Sequence, residues 1–297
     1  MATTNVTTAA ETNLSKSANF ARVREIEFVT LFNGSIKKLA EALGVTRMIQ
    51  KESGAVLKVL NVTGELDTGA VEEGAIIPLS EFQTTWEPIG EITLKKWRKS
   101  TSIEAINEKG YDQAVTRTTD KMLKLIQRGI RSDFFTFLAT GTRTATGDGF
   151  QGTLANCWGQ LQVIFEDNDI EAVYFMNPLD VADYLGEHNI TLETVFGMQY
   201  VNNFMGLGTV FFNSDVPKGK IYATAKDNVV CYYVNASAPD ISEGFAFTTD
   251  ETGLIGIHEY PDYDRDTVND SVVSGVRFLA ENLYGVVVGT IGDTPSA

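Results

Sequence analysis

Four cations crowd one tryptophan in the stretch ITLKKWRKSTSI, residues 92–103: Lys95, Lys96, Arg98 and Lys99 around Trp97. Lys and Arg neutralise phosphates and an indole stacks on bases, so the first chemistry this pattern suggests is nucleic-acid binding. The whole-chain charge opposes that as the main role. The 297 residues carry a net charge of −15 and the pI is near 4.6, which gives a long-range field that repels a polyanion and leaves room only for local, weak contact. The charge is also divided, net +1 over residues 1–140 and −16 over residues 141–297. In a strand, Lys95, Trp97 and Lys99 point to one side while Lys96 and Arg98 point to the other. The cluster is therefore expected to meet the carboxylate-rich surface of an adjoining copy, with Trp97 as an apolar anchor.

Other residues able to do chemistry are sparse. Asp262, Asp264, Asp266 and Asp270 in DYDRDTVND stand at offsets of an oxygen-ligand calcium loop, but Thr267 occupies the glycine position and Val273 the position of the bidentate Glu. A solvated turn between strands is the better reading. The two histidines, His188 and His258, belong to no zinc or triad pattern. No phosphate-binding glycine-lysine loop occurs, and GTRTATGDGFQG lacks a strand-to-helix setting, which makes it a flexible connector. Cys157 and Cys231, the only cysteines, fall in apolar patterns and read as buried thiols rather than a disulfide. These patterns predict no enzyme, no cofactor and no metal.

The elements that must carry the cluster are less ordinary. Residues 20–43 show helical spacing interrupted at Asn33-Gly34, with Ser35 placed to cap a second helix. From Ala55 the pattern turns strand-like: AVLKVLNV runs out, GELDTGAVEEGAIIP turns, and FQTTWEPIGEITLKKW returns. That is a long hairpin, and an isolated two-stranded ribbon needs a further surface to be stable. Next, Val115, Thr118, Met122, Leu125, Ile126, Ile130, Phe134 and Leu138 recur at three- and four-residue steps. About 30 helical residues make a rod of about 45 Å, a spine able to join two parts of the molecule. A further helix carries Leu154, Trp158, Leu161 and Phe165 on one stripe, and EAVYFMNPLDVADYL reads as strand, Asn177 cap, Pro178 and helix. The closing strands LIGIHEYPDYD and SVVSGVRFLAENLYGVVVGTI have no intervening helix and are expected to form a separate antiparallel sheet against the spine.

With 43% apolar and 21% charged residues the composition suits a soluble globular chain. No apolar run of about 18 residues offers a membrane-spanning helix, and no membrane partner is expected. The opening MATTNVTTAAETNLSKSANF lacks the apolar core of a secretory signal and reads as a polar arm.

In element order, and in stretches such as MNPLDVADYL, VPKGKIYA and VRFLAENLYGVVVGTI, the chain over residues 20–292 resembles the major capsid proteins of tailed bacteriophages. This is the Hong Kong ninety-seven fold, shared with encapsulins. The resemblance implies an α+β fold divided into an amino-terminal arm (1–30), a helical lead-in (31–53), an extended hairpin loop (54–103), a peripheral domain with the spine helix (104–169 and 251–292), an axial domain (170–250) and a tail (293–297). It implies pentamers and hexamers of one chain in an icosahedral shell around double-stranded DNA, held without sequence-specific binding. The virion is the expected location, with assembly in the bacterial cytoplasm. The short segment before the hairpin implies a separately encoded scaffolding protein, with a portal and a decoration protein as further partners. Some relatives lock their shells through a lysine near the hairpin tip; Glu65–Ser80 contains none, so no cross-link is expected. Glu72 and Glu73 at the tip join Lys95, Lys96, Trp97, Arg98 and Lys99 as expected inter-subunit contacts. The alternative within the fold is an encapsulin-like compartment enclosing cargo protein.

Overall fold

The computed structural model describes residues 17–45, 47–67, 69–165, 170–187 and 190–292; the start of the expected arm, the tail 293–297 and His188 lie outside them. Helix α1 (Ser17–Leu43) is continuous, so it runs across the expected boundary at residue 30 and no second helix starts at Ser35. Phe28, Phe32, Ile36, Leu39 and Leu43 form one buried stripe along it. Ser35 donates its hydroxyl hydrogen to the Phe32 carbonyl (2.6 Å) instead of capping, and Gly34 sits on the open side. Glycine costs a helix about 1 kcal/mol, less than burying either neighbouring side chain, Phe32 or Ile36, returns.

After β1 (Met48–Gln50), strands β2 (Ala55–Glu65) and β3 (Glu81–Ile92) pair antiparallel as a two-stranded ribbon. The chain then breaks at Thr93-Leu94, and β4 (Lys95–Ser102) enters a different sheet. The basic cluster is thus not part of the hairpin's return strand. Ser102 caps α2 (Ile103–Lys109) by accepting from Ala105 N, and a π-helical turn, Asp112–Thr116, leads into the spine α3 (Arg117–Leu138). Its buried face is Leu123, Ile126, Ile130 and Phe134. Leu125 is exposed, and Leu123 takes the place that the spacing assigned to it.

The expected connector folds into β5 (Arg143–Asp148) and the start of α4 (Gly149–Ile164). Gly147 makes that bend feasible, since a Cβ there would lie 2.4 Å from the Gly152 backbone. On α4 the buried stripe is Leu154, Cys157 and Leu161, while Trp158 turns outward. Then come β6 (Ala172–Met176), α5 (Ala182–Glu187), β7 (Glu193–Val195), β8 (Met198–Phe204), β9 (Gly208–Phe212), β10 (Lys220–Ala225), β11 (Val229–Tyr233), α6 (Pro239–Ser242), β12 (Ile255–Asp262), β13 (Thr267–Ser274), β14 (Arg277–Ala280) and β15 (Val286–Gly292). Asn177 caps the turn after β6 by accepting from Leu179 N, with Pro178 behind it.

The closing strands do not form one sheet. β12 pairs with β13 and β13 with β4, β14 pairs with β11, which also carries β1, and β15 inserts between β5 and β10 in a seven-stranded sheet ordered β5-β15-β10-β6-β9-β8-β7. The expected cut between residues 104–169 plus 251–292 and residues 170–250 therefore runs through that sheet. The physical reason is that both of its faces are covered. In β6, Val173 and Phe175 join the core under α3, whereas Ala172, Tyr174 and Met176 join the core under α4. Such a sheet takes strands that are apolar throughout, and the valine run of β15 satisfies the open edge of β10.

The spine ends between two sheets. Phe134 lies edge-on to Phe175 of β6 (ring centroids 5.4 Å) and 6.2 Å from Phe278 of β14, while Phe135 adds a second edge contact to Phe175. At its other end α1 ties to β12: the Glu25 carboxylate accepts from Glu259 N and from the Thr248 hydroxyl, both at 2.5 Å. Ile126→Asp or Ile130→Asp should destabilise the chain by about 3–5 kcal/mol, because each leaves a buried, unpaired carboxylate, whereas Leu125→Asp should stay within about 0.5 kcal/mol. Chemical denaturation checks this; equal midpoints for Ile126→Asp and Leu125→Asp would overturn the assignment of the buried face.

Candidate assembly surface

Alternation along β4 sorts the cluster as the sequence predicts, but the partners are internal. Lys99 Nζ lies 2.9 Å from Asp270 Oδ2 on the neighbouring strand β13. It also donates to the Val115 carbonyl (3.0 Å) and to the hydroxyls of Thr118 (2.8 Å) and Thr119 (2.9 Å) at the start of the spine. Thr119 in turn donates to Asp270 (2.6 Å). The Asp270 side chain is 1% exposed and that of Lys99 is 18% exposed. Lys95 pairs with Asp133 of the spine, and Trp97 packs half-buried against the core beside them. Lys95, Trp97 and Lys99 thus fasten β4 to α3 within one chain. The sequence points to carboxylates elsewhere because of the overall charge division, yet Asp133 and Asp270 come from this chain's own spine and adjacent strand. Lys96 and Arg98 face outward on an edge strand and have no ion pair among the described residues.

The remaining exposed machinery is the ribbon. Leu57 and Ile92 are buried at its root. The register then shifts between Leu57 and Lys58, and Ile89 is left without a partner in the opposite strand. Gly90 sits beside this bulge at φ +154°, and the Arg277 guanidinium fills the space a side chain would need while donating to the Glu91 carbonyl. A cleft of about 830 Å³ opens at this root, lined among others by Pro88, Lys95, Asp133, Arg277 and Tyr284. Beyond the bulge every described side chain of β3 back to Glu81 is exposed. Trp86 is 64% exposed, and at the tip Ile76 and Leu79 are 93% and 95% exposed. Glu72 and Glu73 are exposed at the turn, where Ala75 N bonds the Glu72 carbonyl (3.0 Å). Sequence reasoning weighed the glutamates and passed over the apolar residues of GAIIPLS, although an apolar run inside a Gly/Pro turn is itself a signal of a buried partner.

No protein-family model matches the chain and no curated protein matches it. Solved structures do. A chain of Gordonia phage Cozz superposes with a TM-score of 0.53 at 11% identity, over 86% of both chains. The capsid of cyanophage A-1(L) gives 0.52 at 13% identity, over 86% of this chain and 92% of that one. The capsid of an empty GTA particle gives 0.51 at 10% identity, over 96% and 94%. The chain has the Hong Kong ninety-seven-like capsid fold.

Within this capsid fold the groups that suggested catalysis have structural partners. Asp262 accepts from Asp264 N (3.2 Å) and meets Arg265 at 3.7 Å, and Asp270 belongs to the Lys99 network instead of the turn. His258 stacks on Tyr260, with Nδ1 3.6 Å from Glu25. Among the described residues no group of three or more His, Cys, Asp or Glu could hold a metal ion. Cys157 and Cys231 are free and buried, and burial pushes both thiols up to about 12. At pH 8 the thiolate fraction is then about one part in ten thousand, so alkylation of either should follow global unfolding; fast labelling of the native chain would contradict their burial.

The network around Lys99 generates a sharper expectation. Lys99→Ala leaves Asp270 charged, buried and unpaired and should cost about 3–5 kcal/mol. Lys95→Ala, at a half-exposed pair, should cost less than about 1 kcal/mol. Denaturant titration distinguishes them, and a Lys99→Ala chain as stable as wild type would return the cluster to the surface role first assigned to it.

Proposed function

We propose that this chain is a structural major capsid protein that self-assembles, through pentamers and hexamers, into the icosahedral shell enclosing the double-stranded DNA genome of a tailed bacteriophage. One observation carries the reading: a projecting ribbon that holds Ile76, Leu79, Phe82 and Trp86 exposed, with nothing among the described residues covering them. Exposed apolar residues gathered on one projecting element mark a protein–protein contact. The fold shared with the cyanophage and GTA capsid chains supports the same reading. A separately encoded scaffold, a portal and a decoration protein are the partners such a shell calls for, the virion is its location, and the role needs neither cofactor nor catalysis. Glu72, Glu73, Lys96 and Arg98 are the charged groups left free to set the register of docking.

The test is assembly. Wild-type chain should form closed particles by electron microscopy, with nuclease-protected DNA when they are purified from infected cells. Ile76→Asp, Leu79→Asp and Trp86→Glu combined should abolish closed particles and leave the unfolding midpoint within about 0.5 kcal/mol of wild type, since none is buried in the subunit. Shells of normal size and yield from that variant would overturn the role of the ribbon. Particles enclosing cargo protein in place of DNA would replace the virion by a compartment.

A further inference from the structure

The spine helix carries a second exposed feature. Arg117, Lys121, Lys124 and Arg128 follow one another at steps of four, three and four residues, and all four are exposed. At 100° per residue they fall within about 60° of one another, on the side of α3 directly opposite Ile126 and Ile130. The line they draw is straight and about 16 Å long. Arg117 has Asp112 at 3.7 Å and Arg128 has Asp215 at 3.5 Å. Lys121 and Lys124, in the middle, have no carboxylate within ion-pair distance among the described residues. Two exposed cations without an ion pair among the described residues stand out in a chain of net charge −15.

We infer that this outer face of α3 is a polyanion site that lies along the sugar-phosphate backbone of duplex DNA. A line of exposed cations along one helix can neutralise successive phosphates of a DNA strand. A protein partner fits less well. Protein interfaces are anchored most often by desolvated aromatic residues, and this chain exposes Phe82 and Trp86 on the ribbon, whereas the row is flanked by Thr118, Leu125 and Ser132 on one side and by Asp120, Gln127 and Arg131 on the other, with no aromatic group among them. The net negative charge does not forbid the contact. At physiological ionic strength charges are screened over about 8 Å, so a phosphate at the helix surface responds to the row more than to distant carboxylates. Few cations per copy give binding that is independent of sequence and readily reversed by salt. The further consequence, that this face of the spine lines the lumen, rests on the shell reading above; the DNA contact itself does not.

The experiment measures anisotropy of a labelled 20-base-pair duplex titrated with the full chain from 50 to 200 mM salt, beside an assembly assay. Lys121→Gln with Lys124→Gln should lower the slope of log Kobs against log salt by about 2 and weaken binding at 50 mM at least tenfold. Removing the same charge elsewhere, with Lys51→Gln and Lys218→Gln, should leave the slope unchanged, and both variants should still assemble. Equal slopes for the two double variants would overturn the inference. Loss of assembly in the Lys121/Lys124 variant with DNA binding intact would also overturn it, and would assign the row to an acidic protein. A wild-type chain that never forms shells but loses its slope through Lys121 and Lys124 would sustain the DNA site and remove the shell reading instead.

Discussion

The seating of the spine's last turns between two sheets is the constraint on which the rest of the molecule depends. Phe134 reaches Phe175 in the seven-stranded sheet and Phe278 in the small sheet of β1, β11 and β14, and Phe135 meets Phe175 beside it. Phe175 in turn stacks on Phe211, and Phe211 on Tyr200. Aromatic pairs of this kind add about 0.5–1.5 kcal/mol each beyond the area they bury. Because one helix end belongs to both sheets, its other end is fixed in direction. There Val115, Thr118 and Thr119 receive Lys99, and Asp270 completes the joint to β13. The three-stranded sheet of β4, β12 and β13 is thereby held at the far end of the spine.

That rigidity separates what is exposed from what is held. The ribbon is anchored at its root by Leu57, Ile92, Ala55, Ile89 and the Arg277 contact with Glu91, and past the bulge the β3 side chains back to Glu81 are exposed. Its apolar side chains and the cation row of α3 belong to different elements. Two kinds of surface, one apolar and one basic, are thus presented by a chain whose second half is strongly acidic.

Much of this was legible in the residues. Three- and four-residue apolar steps located α3, the Asn177-Pro178 signature located the turn after β6, and period-two alternation placed Lys95, Trp97 and Lys99 on one face. What was not legible was long-range. Asn33-Gly34 reads locally as a break, but the stripe from Phe28 to Leu43 is buried along its whole length and overrides it. The connector near Gly147 looks structureless until β15 offers it a parallel edge. The closing strands look like one meander because local pattern says nothing of partners; each found the sheet whose edge was open. For the basic cluster, the face was readable and the identity of the acid was not, since Asp133 and Asp270 reach Lys95 and Lys99 only through the tertiary fold.

The bulge at the ribbon's root has a mechanical side. The strands beyond it extend about 30 Å at 3.3 Å per residue, and the backbone that joins them to the body turns at Gly90, against a guanidinium rather than a packed side chain. The ribbon is therefore a lever with its fulcrum at one glycine. A rotation of about 10° there carries the tip about 5 Å, roughly the spacing of one strand from the next. The reach of the tip can in this way be changed with the adjustment confined to a few torsions and the two packed cores left undisturbed.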